Sequence, residues 1–158
     1  MDNLAGTTEE QTIATRLGEV LRSVGTLTIS SCRDDVPWAA GGYFAEDGLF
    51  TLGMILETHG TTMTNIRENP CVAVSITTGN PYEPFAQGIA DVEVLSDEAV
   101  IAAVHAALGT KSPEIEPLLG IPVETVRLHV RTWKVSDIPN GWLPAKVLSA
   151  PAAASSTV

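Results

Sequence analysis

An antiparallel β-barrel closed at one side by helices, mainly β within the α+β class, is the fold this sequence predicts, and three observations predict it. About six short runs carry the two-residue alternation of strands. Hairpin-like turns join most of them. The three helical pieces do not alternate with the strands in the way a parallel sheet would demand.

In order along the chain, Thr7 and Glu10 have the spacing of a capping box, and Ile13, Leu17, Val20, Leu21 and Val24 recur at three- and four-residue intervals. An amphipathic helix over residues 8–24, ended by Gly25, follows. The period then drops to two: Leu27 and Ile29 alternate with Thr26, Thr28 and Ser30, and Arg33, Asp34 and Asp35 supply a turn. Residues 38–45 read as the second strand, Glu46 to Gly48 as a turn, and residues 49–54 as the third strand. A short connecting helix begun near Thr62 is stopped by Pro70. Residues 71–77 place Val72, Val74 and Ile76 on one face, and residues 85–95 oppose Ala90, Val92 and Val94 to Asp91 and Glu93. Ser96 to Glu98 cap an alanine-rich helix over residues 99–108, which Gly109 closes. Residues 124–135 form the last predicted strand, with Val126, Leu128 and Val130 facing one way and Arg127, His129 and Arg131 the other. Pro139, Asn140 and Gly141 then make a turn that presents Trp142.

With 158 residues, the chain has the length of one domain, and residues 1–149 are read as a single barrel domain. Residues 150–158, all Pro, Ala, Ser, Thr and Val, bury too little to offset their ordering entropy, so a disordered tail is expected. A net charge of −10 repels phosphate backbones and anionic lipid surfaces, which excludes nucleic-acid and membrane partners. No apolar run approaches the roughly 20 residues a spanning helix needs, and charges interrupt the first 24 residues where a secretory signal would lie. A cytoplasmic location is the expectation. Cys32 and Cys71 lack metal-ligand spacing and read as two buried, reduced thiols rather than a redox pair. No metal site or serine-histidine-aspartate pattern stands out.

Two segments carry a resemblance. Asn65, Ile66, Arg67, Glu68, Asn69, Pro70 resembles the asparagine-leucine, basic, asparagine-proline segment of the pyridoxamine 5'-phosphate oxidase-like, FMN-binding split-barrel family. Gln87, Gly88, Ile89, Ala90, Asp91, Val92 is similar to that family's glutamine-glycine-x-alanine-x-valine strand. The likeness covers about residues 10–136. It implies a split form of the barrel, a homodimer, and a flavin, deazaflavin or haem held in a cleft between subunits. It further implies an FMN-dependent oxidoreductase acting on a small molecule. The alternative is a divergent split barrel without flavin chemistry, which binds another small ligand or haem, or catalyses a non-redox step. Thr61 and Thr62 stand where family members often carry a basic phosphate anchor.

On this reading the cofactor residues are Thr58, His59, Thr61, Thr62, Asn65, Arg67, Gln87 and Trp142, with Arg127, Arg131 and Lys134 as further sources of charge. The catalytic residues are not identified. Each residue has a plainer reading. The Thr58 to Asn65 run also suits a turn and a helix cap. His59 is a surface-loop residue or an axial ligand. Trp38, Tyr43 and Phe44 belong to the barrel core, a dimer interface or a stacking surface.

Overall fold

The computed structural model describes residues 6–152. Helix α1 (Thr8–Ser23) opens the fold, and its capping box forms as expected: Glu10 N donates to Thr7 Oγ1 at 3.3 Å and Thr7 N to Glu10 Oε2 at 2.8 Å. Strands β1 (Thr26–Arg33) and β2 (Val36–Glu46) make a hairpin whose two-residue loop, Asp34 and Asp35, has φ of 52° and 60°. Positive φ at both loop residues matches the right-handed twist of the flanking strands, and Asp tolerates it better than most residues. Next come β3 (Thr51–Glu57), α2 (Thr61–Glu68), β4 (Cys71–Ile76), β5 (Phe85–Val94) and α3 (Glu98–Lys111). A 3₁₀ segment (Pro113–Gly120) leads into the long β6 (Val123–Asp137), and β7 (Trp142–Ser149) ends the sheet.

The strand order is β3-β2-β1-β4-β5-β6-β7, with β3 also pairing β6. That extra pairing rolls six antiparallel strands into a barrel and leaves β7 as an added strand on β6. The predicted fold class is therefore the observed one.

Alternation decides what fills the barrel. Leu27, Ile29, Val72, Val74, Ala86, Ala90, Val126, Leu128 and Val130 point inward and are buried, and α1 closes one end with Ile13, Leu17, Val20 and Leu21. Fully burying each such Leu or Val stabilises the fold by about 1.5–3 kcal/mol. Trp133 is completely buried, and its Nε1 donates to the Leu49 carbonyl at 2.7 Å, which satisfies its one polar atom. A second cluster, Ala45, Ile55, Val104, Leu108 and Ile115, seats α3 on the outside of the barrel. Lys111 pins this helix: its Nζ donates to the Leu21 carbonyl at 2.7 Å, pairs with Glu46, and lies 3.7 Å above the Phe44 ring.

Several expectations need correction. Strand 124–135 is not the last, because β7 follows it. Pro144 lies inside β7, where it is tolerated because it falls in the irregular stretch between the pairs Val135↔Lys146 and Asp137↔Trp142, so no ladder bond calls on its missing donor. The third strand starts at Thr51 rather than 49, since Asp47 N donates to Thr51 O and lengthens the turn. Helix α3 runs through Gly109 to Lys111, where Ser112 N bonds Leu108 O and Gly109 has open space around it. Cys71 is exposed and Cys32 half-buried, because both occupy outward positions of their strands. Trp38 is exposed in the seam, on the same side of the sheet as its ladder partner Ser31, so only Phe44 of the three aromatics is core. Part of the expected tail, residues 153–158, lies outside the described residues; Ala150 N donates to Arg131 O at 2.8 Å.

Candidate functional site

The barrel is open at one seam. Strand β2 pairs β3 only through Phe44↔Met54, Ala45↔Gly53 and Glu46↔Leu52, whereas β2 itself begins at Val36 and β3 continues to Glu57. Beyond that short ladder the strands diverge and α2 packs near the gap. A cleft of about 450 Å³ occupies it, lined by Trp38, Ala40, Gly41, Ile55, Leu56, Glu57, His59, Gly60, Thr61 and Thr62.

Two backbone features face this cleft. Phe44 N donates to Gly25 O, so the alternation of the antiparallel ladder turns the main-chain groups of residues 38, 40 and 42 toward β1 and those of Ala39 and Gly41 toward the seam. Helix α2 points its first turn at the same space. Its N-cap is Gly60, which has no side chain to cap the first amides, so these donors and the positive end of the helix remain available.

The predicted site residues divide into separate groups. His59 and Thr61 are exposed in the cleft, and Thr62 lines it while being 7% exposed. Thr58 is held back from it: its N donates to Pro122 O at 3.1 Å and its carbonyl accepts from Arg67 Nη2 at 3.0 Å. That bond folds Arg67 toward β6, where it stands 3.6 Å from Glu124. Asn65 is buried, and its Nδ2 donates to Ser31 Oγ at 3.1 Å. Thus two members of the Asn65 to Pro70 motif fasten α2 to its surroundings. Thr64 likewise bonds its own helix, at Gly60 O.

Gln87 lies on the outer face of β5, in a second depression of about 340 Å³ with Ser30, Ser75, Ile89, Thr132 and Lys134. A third depression, also about 340 Å³, shares Gly41 with the cleft and Ser75 with the Gln87 depression. The two outer depressions make one furrow across β2, β1, β4 and β5. Trp142 is elsewhere, half-buried at the start of β7 opposite Asp137. Among the basic candidates, Arg131 is bidentate to Asp91 at 2.9 and 3.0 Å and Arg127 lies between β3 and α3, while Lys134 stands in the furrow.

Sequence reasoning missed Glu57. A Cβ built on Gly60 would lie 3.3 Å from Glu57 Oε2, so this carboxylate sits beside the first turn of α2. It opposes any anion bound there. No strand-pattern signal singles it out, because its position depends on where β3 leaves the barrel.

A six-stranded antiparallel barrel that opens between two neighbouring strands, with a short helix at the opening, defines a split-barrel protein. Its fold is that of the pyridoxamine 5'-phosphate oxidase-like proteins. The chain superimposes on a Clostridium acetobutylicum protein related to general stress protein 26, of the pyridoxinephosphate oxidase family, with a TM-score of 0.69 at 16% identity, over 88% of this chain and 95% of that one. An FAD-binding protein from Mesorhizobium loti matches with a TM-score of 0.62 at 17% identity, over 77% of this chain and 92% of the other. A haem-binding protein from Mycobacterium smegmatis gives 0.69 at 13% identity, over 84% of this chain and 57% of that longer one. No protein-family model and no curated protein matches the sequence. Among the described residues no helix is long and apolar enough to cross a membrane.

Proposed function

We propose that this chain is an FMN-binding oxidoreductase acting on a small molecule, as a cytoplasmic homodimer. One observation carries the reading: the seam cleft combines uncapped amides of α2, the exposed Thr61 hydroxyl, the seam-facing main chain of β2 and the Trp38 ring. A volume of about 450 Å³ lies within the roughly 300–1,000 Å³ usual for cofactor pockets. The residues fit the group in kind. Hydroxyl and amide donors at a helix start suit a phosphate, and strand-edge N–H and C=O groups suit the polar rim of a flavin ring.

Bound flavin supplies hydride and electron transfer; the protein supplies orientation and exclusion of water. Ala39 and Gly41 would meet the ring edge, and Trp38 would cover part of its face. The charge balance is unfavourable, since Glu57 faces the phosphate end and Arg67 is turned away. A second copy docked on the outer face, where Ile89 is exposed beside Gln87, would cover the furrow and bring its own Lys134 or another cation to it. Haem is the second reading, favoured by the exposed His59 imidazole in the same cleft.

The test is an absorption spectrum of purified protein after loading with FMN, deazaflavin or haem and gel filtration. Flavin bands retained on a dimer-sized peak support the proposal. A Soret band lost in His59→Ala moves the assignment to haem, and a colourless protein after every loading refutes both.

A further inference from the structure

We propose that Cys32 and Cys71 are a cross-strand dithiol, an oxidation site that a hydroperoxide converts into an intramolecular disulfide. The β1–β4 ladder runs Thr28↔Ser75, Ile29↔Val74, Ser30↔Ala73, and the same register carried two residues further sets Cys32 opposite Cys71. Both face outward, because the inward positions beside them, Ser31 and Val72, are buried.

Their main chains are already joined through one carboxamide. Asn69 Nδ2 donates to Cys32 O at 3.1 Å, and Cys71 N donates to Asn69 Oδ1 at 3.2 Å. This amide occupies the place of a direct ladder bond. Closing the ladder there would set the Cα atoms about 5.5 Å apart, within the roughly 4.4–6.8 Å that a disulfide spans. Both cysteines are free thiols in this state, so Asn69 works as a removable spacer.

The two sulfurs are not equivalent. Cys71 is exposed, and Arg131 Nη2 donates to its Sγ at 3.0 Å while Asp91 holds the guanidinium from the other side. Arg131 is the extra residue of a β-bulge, where Ile89 pairs Thr132 and Ala90 pairs Val130. The bulge thus aims a cation at one sulfur, which favours that sulfur as the attacking one. Cys71 attacks the peroxide oxygen, the O–O bond breaks, and an alcohol or water leaves with the formation of a sulfenic acid. The half-buried Cys32 thiol then attacks Cys71 sulfur: the S–S bond forms, the S–O bond breaks, and water departs with the thiol proton. Two thiols lose two electrons and two protons, and the hydroperoxide takes them up.

The experiment treats the reduced full chain with hydrogen peroxide and follows intact mass, thiol titration in denaturant and non-reducing peptide mapping. The expected product is a single chain with no covalent link to another copy, lighter by two hydrogens, with both thiols lost and a Cys32–Cys71 cross-linked peptide that dithiothreitol releases. In Cys32→Ser, Cys71 should stop at a sulfenic acid that dimedone traps, and Asn69→Ala should speed closure in the otherwise wild-type chain. Added oxygen without an internal cross-link, a cross-link between copies, or unchanged thiols would each overturn the proposal.

Discussion

Gly88 lies directly beneath the buried Trp133, and adding a single methyl group there measures how tightly the barrel is filled. A Cβ at this position would stand 2.9 and 3.0 Å from Trp133 Cε3 and Cζ3 and 3.0 Å from Val130 Cγ1. Trp133 has no room to withdraw, since it is fully buried and its Nε1 is bonded to Leu49 O at 2.7 Å. Overpacking of this kind costs about 1–3 kcal/mol. Replacing Gly by Ala also restricts the unfolded chain, which returns about 0.4–1 kcal/mol. Gly88→Ala should therefore lose on the order of 1–2 kcal/mol net. Gly41→Ala is the internal control: its Cβ would meet only Leu27 O, at 4.0 Å, so stability should hold or rise by about 0.4–1 kcal/mol. Urea unfolding followed by tryptophan fluorescence reads both variants. If Gly88→Ala were as stable as Gly41→Ala, Trp133 would not be packed against β5 as described.

Asn65→Ala removes the donor to the buried Ser31 hydroxyl and should destabilise by about 1–3 kcal/mol in urea, whether or not a cofactor is present. Lys111 is held below its ordinary value of 10.5, chiefly by burial, with the Glu46 hydrogen bond and charge working the other way. In the window between its folded value and 10.5 the unfolded state binds more protons, so stability from this group rises with pH there. Unfolding midpoints compared with Lys111→Arg, which does not titrate in that range, should diverge in favour of the wild type as pH climbs; parallel profiles would contradict this. For the flavin reading, Glu57→Gln should tighten FMN binding about two- to fivefold by removing a charge from the first turn of α2, as measured by fluorescence quenching. Thr61→Lys should tighten it further, and Thr61 is the better position for the cation because Thr62 is buried. Unchanged FMN affinity in both variants would place the phosphate elsewhere.

Local signals were legible in the residues, and long-range ones were not. The alternation of Val126, Leu128 and Val130 against Arg127, His129 and Arg131 survives intact in β6, because side-chain direction along a strand follows from the backbone alone. The Thr7 and Glu10 cap forms because both partners lie within one turn. By contrast, Asn65 finds Ser31 at a separation of 34 residues and Asn69 finds Cys32 at 37, so their structural work has no local trace. The cleft has the same origin. Trp38 shares a cleft with Thr61 and Thr62 only because β2 and β3 part after three ladder pairs, and nothing near either strand announces that divergence. β7 was concealed for an opposite reason: Pro144 breaks a regular central strand, and only the irregular, unpaired stretch of the β6–β7 ladder makes it harmless.

That topology bears on how copies of the chain can meet. Strands β3 and β6 seal the barrel against each other, so β7 is the outermost strand among the described residues. Its sequence discourages edge-to-edge growth: Pro144 deletes a donor, and Lys146 sets a charge on the strand and ties it to Glu9 of α1 at 3.0 Å. Templated strand addition, the usual road from a β-protein to a fibril, is thereby discouraged at this end of the sheet. Crowded solutions of this protein should favour finite face-to-face assemblies over open-ended polymers.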